Sequence, residues 1–295
     1  MRQIITRVGA FDVGGTHIRG VQVDTAGWRV VPSTAAEFSL PADGSARDLL
    51  DGIADCVRAV TTDGPVAIAL PAPFDYATGI ARYHGVAKFD ALNGVDVGAG
   101  LRARGVTGPI GFTPDAHAFL RGEAIAGAAA GYDRAMGVTL GTGVGSAFLA
   151  DGAMVADGPL VPPESRIDLT TVDGAPLEET VSRRALLRAW GSPTGDVADL
   201  ARLARAGAPA EVEVLRHAFE ALGRALAPWV TGFRPGVVVF GGGMSGAWDL
   251  IEPPVRAGLA AAGVTAVPHL VRAASAHDAP LLGAAWHAAA VSSAR

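Results

Sequence analysis

Lysine is nearly absent from this chain. Of its 24 basic residues, all but Lys88 are arginine, which reads with the alanine and glycine richness as codon bias rather than as chemistry. Cysteine is as scarce: Cys56 stands alone, so no internal disulfide forms and no cysteine-rich zinc site is available. Its neighbours Ile53, Ala54 and Val57 repeat at helical spacing, which marks the thiol as a buried packing group. A basic excess is also lacking. With 29 acidic against 24 basic residues the net charge is −5, so nucleic acid is not an expected partner. No uncharged apolar run reaches the roughly 18 residues of a membrane span, and no apolar signal core follows the N-terminus. No membrane partner is expected, and the expected location is the cytoplasm. Hydrophobic residues make up 49% and charged ones 18%, which excludes intrinsic disorder. A chain of 295 residues exceeds what one core comfortably fills, so two are expected.

What the chain has in excess is glycine, 39 residues, gathered where apolar runs end. Val8 to Val13 is such a run, closed by Gly14-Gly15-Thr16, and Ile18 to Asp24 alternates after it. The pair predicts a β-hairpin. Ser45 with Asp48 three residues on starts a helix carrying Leu49, Leu50, Ile53, Val57 and Val60. Val66 to Leu70 reads as a buried strand, and helices are predicted over Val97 to Arg104 and Ala116 to Ala130. The first pattern then restarts: strand Ala135 to Leu140, turn Gly141-Thr142-Gly143-Val144-Gly145, strand Ser146 to Ala150. Two half-repeats in one chain predict an internally duplicated architecture. A long helix through Leu215, Phe219, Leu222 and Leu226 follows, then a strand from Gly236 to Phe240 closed by Gly241-Gly242-Gly243, and a helix from Trp248 to Leu259.

The three glycine turns are the candidate chemistry. Glycine lets backbone approach a ligand and point N–H groups at phosphate oxygens. Thr16 and Thr142 add hydroxyl donors, and Asp12 can hold a hydrated Mg²⁺ beside those phosphates. Other nucleotide-binding patterns fail. Lys88 is in no P-loop context, no H-R-D kinase motif occurs, and the Gly141 turn leads into a strand rather than a Rossmann helix.

At these residues the sequence resembles the ROK family of sugar kinases, within the actin-like ATPase superfold. The resemblance runs from about Val8 to Ala285. Asp12-Val13-Gly14-Gly15-Thr16 is similar to the family's first phosphate motif and Gly141-Thr142-Gly143 to the second. Gly241-Gly242-Gly243-Met244 is similar to its adenosine motif, and Leu282-Gly283-Ala284-Ala285 to its terminal helix start. The resemblance implies an α/β, two-lobed, actin-like (ribonuclease H-like) fold with ATP in the interlobe cleft. The expected lobes are residues 1–115 with 280–295, and residues 116–279. It implies ATP and Mg²⁺ as cofactors, a small sugar as partner, and a homodimer as the expected assembly.

The resemblance also places Asp115 on the family's catalytic base, although a helix N-cap is the plain alternative for an aspartate after Pro114. Pro114 departs from the family asparagine and has no side-chain donor, so at least one acceptor contact differs. Asn93, in Leu92-Asn93-Gly94, and Lys88, five residues before it, are candidate acceptor contacts. Glu178, in Leu177-Glu178-Glu179-Thr180-Val181-Ser182, is another. The family's E-x-G-H segment is eroded to Pro163-Glu164-Ser165-Arg166, where Glu164 serves only by a one-position shift. The family's zinc cysteines are missing from Thr170 to Pro176, so no zinc is expected. An intact nucleotide half and an altered sugar half point to an acceptor other than plain glucose: a hexose, a kanosamine-like aminohexose of antibiotic pathways, or a sugar-like C7-cyclitol. Plain glucokinase and a non-catalytic sugar sensor are the alternatives. The sensor would carry a DNA-binding segment ahead of the first phosphate motif, which here begins at Asp12.

Overall fold

The computed structural model of the chain describes residues 6–41, 43–85 and 89–293. It divides into two compact units, one of residues 1–126 with 277–295 and one of 127–276.

The first unit is built on a five-stranded sheet. Its strands are β1 (Arg7–Val13), β2 (His17–Asp24), β3 (Arg29–Ser39), β4 (Val66–Leu70) and β5 (Ile110–Pro114), in the order β3-β2-β1-β4-β5. β1 and β2 form the predicted antiparallel hairpin, with Asp12 opposite Arg19. β4 runs parallel to β1 and β5 parallel to β4. Every residue of β4 is buried, as a strand covered on both faces must be. One cover is helix α1 (Ala46–Val60), which buries Leu49, Leu50, Ile53 and Val57. Ser45 and Asp48 close the predicted capping box at its start. Cys56 is buried in this layer, and burial first, with Glu37 second, pushes its thiol up to about 12. The other cover is the C-terminal helix, Ala279–Ser293, which buries Leu281, Leu282, Ala284, Ala285 and Ala288.

Helix α2 (Val97–Arg102) precedes β5, and α3 (Asp115–Ala126) leads directly out of it. α3 crosses the C-terminal helix in backbone contact. A Cβ on Gly122 would stand 1.8 Å from the Ala279 carbonyl oxygen, and one on Gly283 1.8 Å from that of Ala118. This crossing is why the unit boundary falls after Ala126 and not after Asp115 as expected: α3 belongs with the helix it is pressed against.

The second unit repeats the scheme. β6 (Arg134–Leu140), β7 (Val144–Ala150), β8 (Ala153–Met154), β9 (Val237–Gly241) and β10 (His269–Arg272) lie in the order β8-β7-β6-β9-β10. The pattern of antiparallel and parallel pairs is that of the first sheet. Short helices α4 (Glu178–Val181), α5 (Arg183–Ala189) and α6 (Val197–Arg205) precede the long α7 (Pro209–Phe233) and α8 (Trp248–Ala261). α7 and α8 also meet through glycine: a Cβ on Gly223 would stand 2.2 Å from the Val255 carbonyl oxygen, and one on Gly258 2.1 Å from that of Glu220.

Candidate active site

In the first unit the three parallel strands carry their chemistry at their carboxyl ends, where open α/β sheets bind ligands. Asp12 pairs in register with Ala69, and Ala69 with Thr113, so Asp12 and the segment entering Asp115 stand at one level on either side of β4. Beyond Asp12 the chain turns through Gly14 to Thr16, where the Gly14 amide donates to the His17 carbonyl at 2.8 Å and the Leu40 amide to the Thr16 carbonyl at 2.7 Å. Thr16 is exposed, and its hydroxyl shares a hydrogen bond of 2.8 Å with Nδ1 of His17.

Asp12 and Asp115 act on each other. Burial first and the charge of Asp115 second push Asp12 from 3.8 up to about 7, while Arg19 opposes both. Arg19 donates to the His277 carbonyl at 3.0 Å and lies 3.5 Å from Asp278. Asp115 is the first residue of α3, and its Oδ1 accepts from the adjacent Ala116 amide at 2.7 Å. Its charge also reaches the buried Tyr83, whose phenol is raised by burial first and by Asp115 second. Two carboxylates at one level of the strand ends, beside an open glycine turn, are oxygen donors of the kind a hydrated divalent cation takes, so Asp12 would suit Mg²⁺ held through water.

The other two turns adjoin each other in the second unit, because β6 and β9 are neighbours with Thr139 opposite Gly241. The Gly141 amide donates to the Gly143 carbonyl at 3.0 Å, and the Arg183 amide to the Gly141 carbonyl at 2.9 Å. Thr142 is exposed. Gly242 has φ +82°, and a Cβ there would stand 2.3 Å from the Leu140 carbonyl oxygen, so only glycine fits. Cβ atoms on Gly141 and Gly243 would meet nothing within 4 Å. Both turns therefore present open backbone, which suits phosphate and nucleoside. Met244 differs from the other residues of this motif: its side chain is 7% exposed and belongs to the hydrophobic core. Only its backbone remains to serve the turn.

The acceptor candidates divide. Glu178 opens α4 half-buried, against the second turn: a Cβ on Gly143 would stand 2.8 Å from its Oε1. Glu164 is exposed, and its amide donates to Oδ1 of Asp157 at 3.0 Å. Between them lies Arg166, bound to Asp168 and raised by that hydrogen bond first, with Asp168, Glu164 and Glu178 adding charge. In the sequence the pair leaves only the Arg-x-Asp spacing as a signal. Asn93 is exposed in the turn after residues 90–92, its amide donating to the Asp90 carbonyl at 3.0 Å. Lys88 lies outside the described residues. Where zinc ligands were expected to be missing, Thr171–Val172 and Ala175–Pro176 pair across an Asp173-Gly174 turn with φ of 53° and 85°. Among the described residues no three His, Cys, Asp or Glu side chains converge as a metal cluster would. No helix among them is long and apolar enough to cross a membrane.

The chain is similar to a glucokinase of Thermotoga maritima, 29% identical over 71% of this chain and 74% of that protein. It is similar to a ROK hexokinase from Thermus thermophilus, 27% identical with a TM-score of 0.71, over 95% of this chain and 96% of that one. A ROK family glucokinase from Streptomyces griseus, solved with glucose and AMPPNP, shares the fold with a TM-score of 0.75 at 23% identity, over 95% and 98% of the two chains. The duplicated α/β architecture is thus the actin-like ATPase fold. Residues 8–159 and 173–291 match the sequence profile of the ROK family, and the chain belongs to that family.

Proposed function

We propose that the chain transfers the γ-phosphoryl group of ATP to a primary hydroxyl of a hexose, a kanosamine-like aminohexose or a sugar-like C7-cyclitol. The observation that carries this reading is the Asp12–Asp115 pair at the strand ends beside the first glycine turn. A phosphotransferase to an alcohol needs a site for the metal–nucleotide and a base for the hydroxyl, and little more. Asp12 would hold Mg²⁺ through water, and the ion when bound neutralises phosphate charge. The amides of Gly14-Gly15-Thr16 and Gly141-Thr142-Gly143, with both threonine hydroxyls, would orient the phosphates. Gly241-Gly242-Gly243 leaves room for the nucleoside. Asp115 would accept the proton of the acceptor hydroxyl as that oxygen attacks phosphorus and ADP departs. Its oxygen must then lie about 2.6–3.2 Å from the hydroxyl.

Glu164, Glu178, Asn93 and Lys88 would contact the acceptor. The residues that the family profile leaves out, 160–172, include the eroded segment with Glu164 and Arg166. Pro114 removes a further polar contact. Buried groups that lose their partners discriminate sharply between acceptors, so an acceptor other than glucose is favoured. The test is a screen with ATP and Mg²⁺ against glucose, mannose, fructose, glucosamine, N-acetylglucosamine, kanosamine and valiolone-type cyclitols. Weak turnover of glucose and stronger turnover of an aminosugar or cyclitol is expected. Glucose as by far the best acceptor would make the chain a plain glucokinase, and no ATP turnover with any acceptor would refute the kinase reading.

A further inference from the structure

The turn after β1 is held at both ends and carries one side-chain pair that no step derived so far uses. The Gly14 amide donates to the His17 carbonyl at 2.8 Å and the Leu40 amide to the Thr16 carbonyl at 2.7 Å, while His17 opens β2 opposite Ser39 of β3. The side chains of Thr16 and His17 are both exposed. Oγ1 of Thr16 and Nδ1 of His17 stand 2.8 Å apart, the distance of a full hydrogen bond. Nε2 of His17 has no hydrogen-bond partner among the described residues, so no second contact fixes which ring nitrogen carries the proton.

A threonine hydroxyl has one hydrogen to give, so its bond to His17 takes one of two forms. A ring with a bare Nδ1 takes that hydrogen, and Oγ1 then offers an incoming phosphate only lone pairs, although phosphate oxygens are themselves acceptors. A ring with a proton on Nδ1 donates to Oγ1 instead, and the threonine hydrogen is free to meet a phosphate oxygen. The imidazolium always carries the Nδ1 proton; the neutral ring carries it in one of its two tautomers. The proton comes from water, or from Nε2 by exchange through water. Strand alternation puts His17 on one face of the sheet with Arg19, and with Asp12 of β1 and Glu37 of β3, both opposite Arg19. Arg19 adds the His277 carbonyl and Asp278, just ahead of the C-terminal helix. None of these groups hydrogen-bonds the His17 ring among the described residues, so the ring's one partner there is Thr16.

We propose that His17 is a positioning residue for the nucleotide: with a proton on Nδ1 it donates to Oγ1 of Thr16 and frees the threonine hydrogen for a phosphate oxygen. The inference rests on reading Gly14-Gly15-Thr16 as a phosphate site. The bound nucleotide then selects the ring form that leaves Thr16 a donor, so its affinity is tied to the protonation of His17.

The test uses the full chain with a non-hydrolysable ATP analogue and Mg²⁺. Nitrogen NMR of isotope-labelled histidine, with the His17 signal assigned by its loss in His17→Asn, should show a proton on Nδ1 in the saturated complex even at about pH 8, where histidines are ordinarily neutral. A bare Nδ1 in that complex would overturn the inference alone. Calorimetry gives a second readout. The amide of His17→Asn offers a donor near the place of Nδ1 that does not titrate, so from about pH 6 to about pH 8 the wild-type affinity should fall several-fold relative to that of the variant. Asp12 and the analogue's own phosphate also change charge in this range, but they do so in both proteins and cancel in the comparison. In a Thr16→Val background the difference should vanish. Equal pH dependence of wild type and His17→Asn, or a difference that persists undiminished without the Thr16 hydroxyl, would overturn the positioning role. A wild-type chain that binds no analogue at any pH would sink the phosphate reading and the inference with it.

Discussion

Asp12 should cost the folded chain stability, and that cost is measurable without any ligand. Its half-buried carboxyl is pushed from 3.8 up to about 7, by burial first and by Asp115 second, against Arg19. At about 1.36 kcal/mol per pH unit that gap is about 4 kcal/mol. The side chain keeps some contact with water, and solvent screening reduces the expected effect to about 2 kcal/mol. The sign comes from counting protons. Between the two pKa values the folded chain holds a proton that the unfolded chain has lost, so stability falls as pH rises. Well below 3.8 both states are protonated and nothing is lost; above about 7 the whole penalty is present. Asp12→Asn removes the penalty. Urea unfolding of both proteins should show the variant about 2 kcal/mol more stable near neutral to mildly alkaline pH, the gap closing toward acid. Asp115→Asn removes the second cause, so in that background the window should move to lower pH. No pH-dependent gap, or one that widens toward acid, would refute the reasoning.

Asp115→Asn keeps size and polarity but takes no proton, so kcat should fall by about 10²–10⁴-fold with little change in analogue or acceptor affinity; retention of more than about a tenth of kcat would make Asp115 a helix-start residue and move the search for a base to Glu178. Gly122→Ala puts a methyl 1.8 Å from the Ala279 carbonyl oxygen and should destabilise the chain by about 3 kcal/mol or more. Gly246→Ala, which meets nothing within 4 Å, should shift stability by no more than about 0.5 kcal/mol. Elemental analysis of purified protein should find no stoichiometric zinc, and activity lost to a chelator should return with Mg²⁺ alone; one zinc per chain would overturn the reading of Thr170 to Pro176.

The parts of this fold that can be read in the sequence are those where a residue type is forced locally. Ser45 and Asp48 fix the start of α1 because only a hydroxyl and a carboxylate at that spacing satisfy two helix-end amides. Val66 to Leu70 reads as a covered strand because all its residues are apolar. β3 escapes the reading because Pro32 lies inside it, which an edge strand tolerates, and because the Gly20–Gln22 irregularity breaks its register, with Thr34 accepting the Gln22 amide at 2.8 Å. β5 escapes because Thr113-Pro114 reads as a loop, and β10 because four residues at a sheet edge carry too short a pattern.

The site follows the same division. Its glycines are legible, since Gly242 admits no other residue against the Leu140 carbonyl. Its electrostatics are not. Asp12 and Asp115 interact only because Asp12, Ala69 and Thr113 stand level across three strands, and register between strands distant in sequence has no local signature. Arg166 meets Asp168 beside a turn in which Ser146 holds Glu164 and Ser165 in a backbone that their side chains disfavour. The resemblance supplied the place of Asp115 in the chain, and the fold supplied the charge beside it. That charge is felt at Asp12, which burial first and Asp115 second push up to about 7.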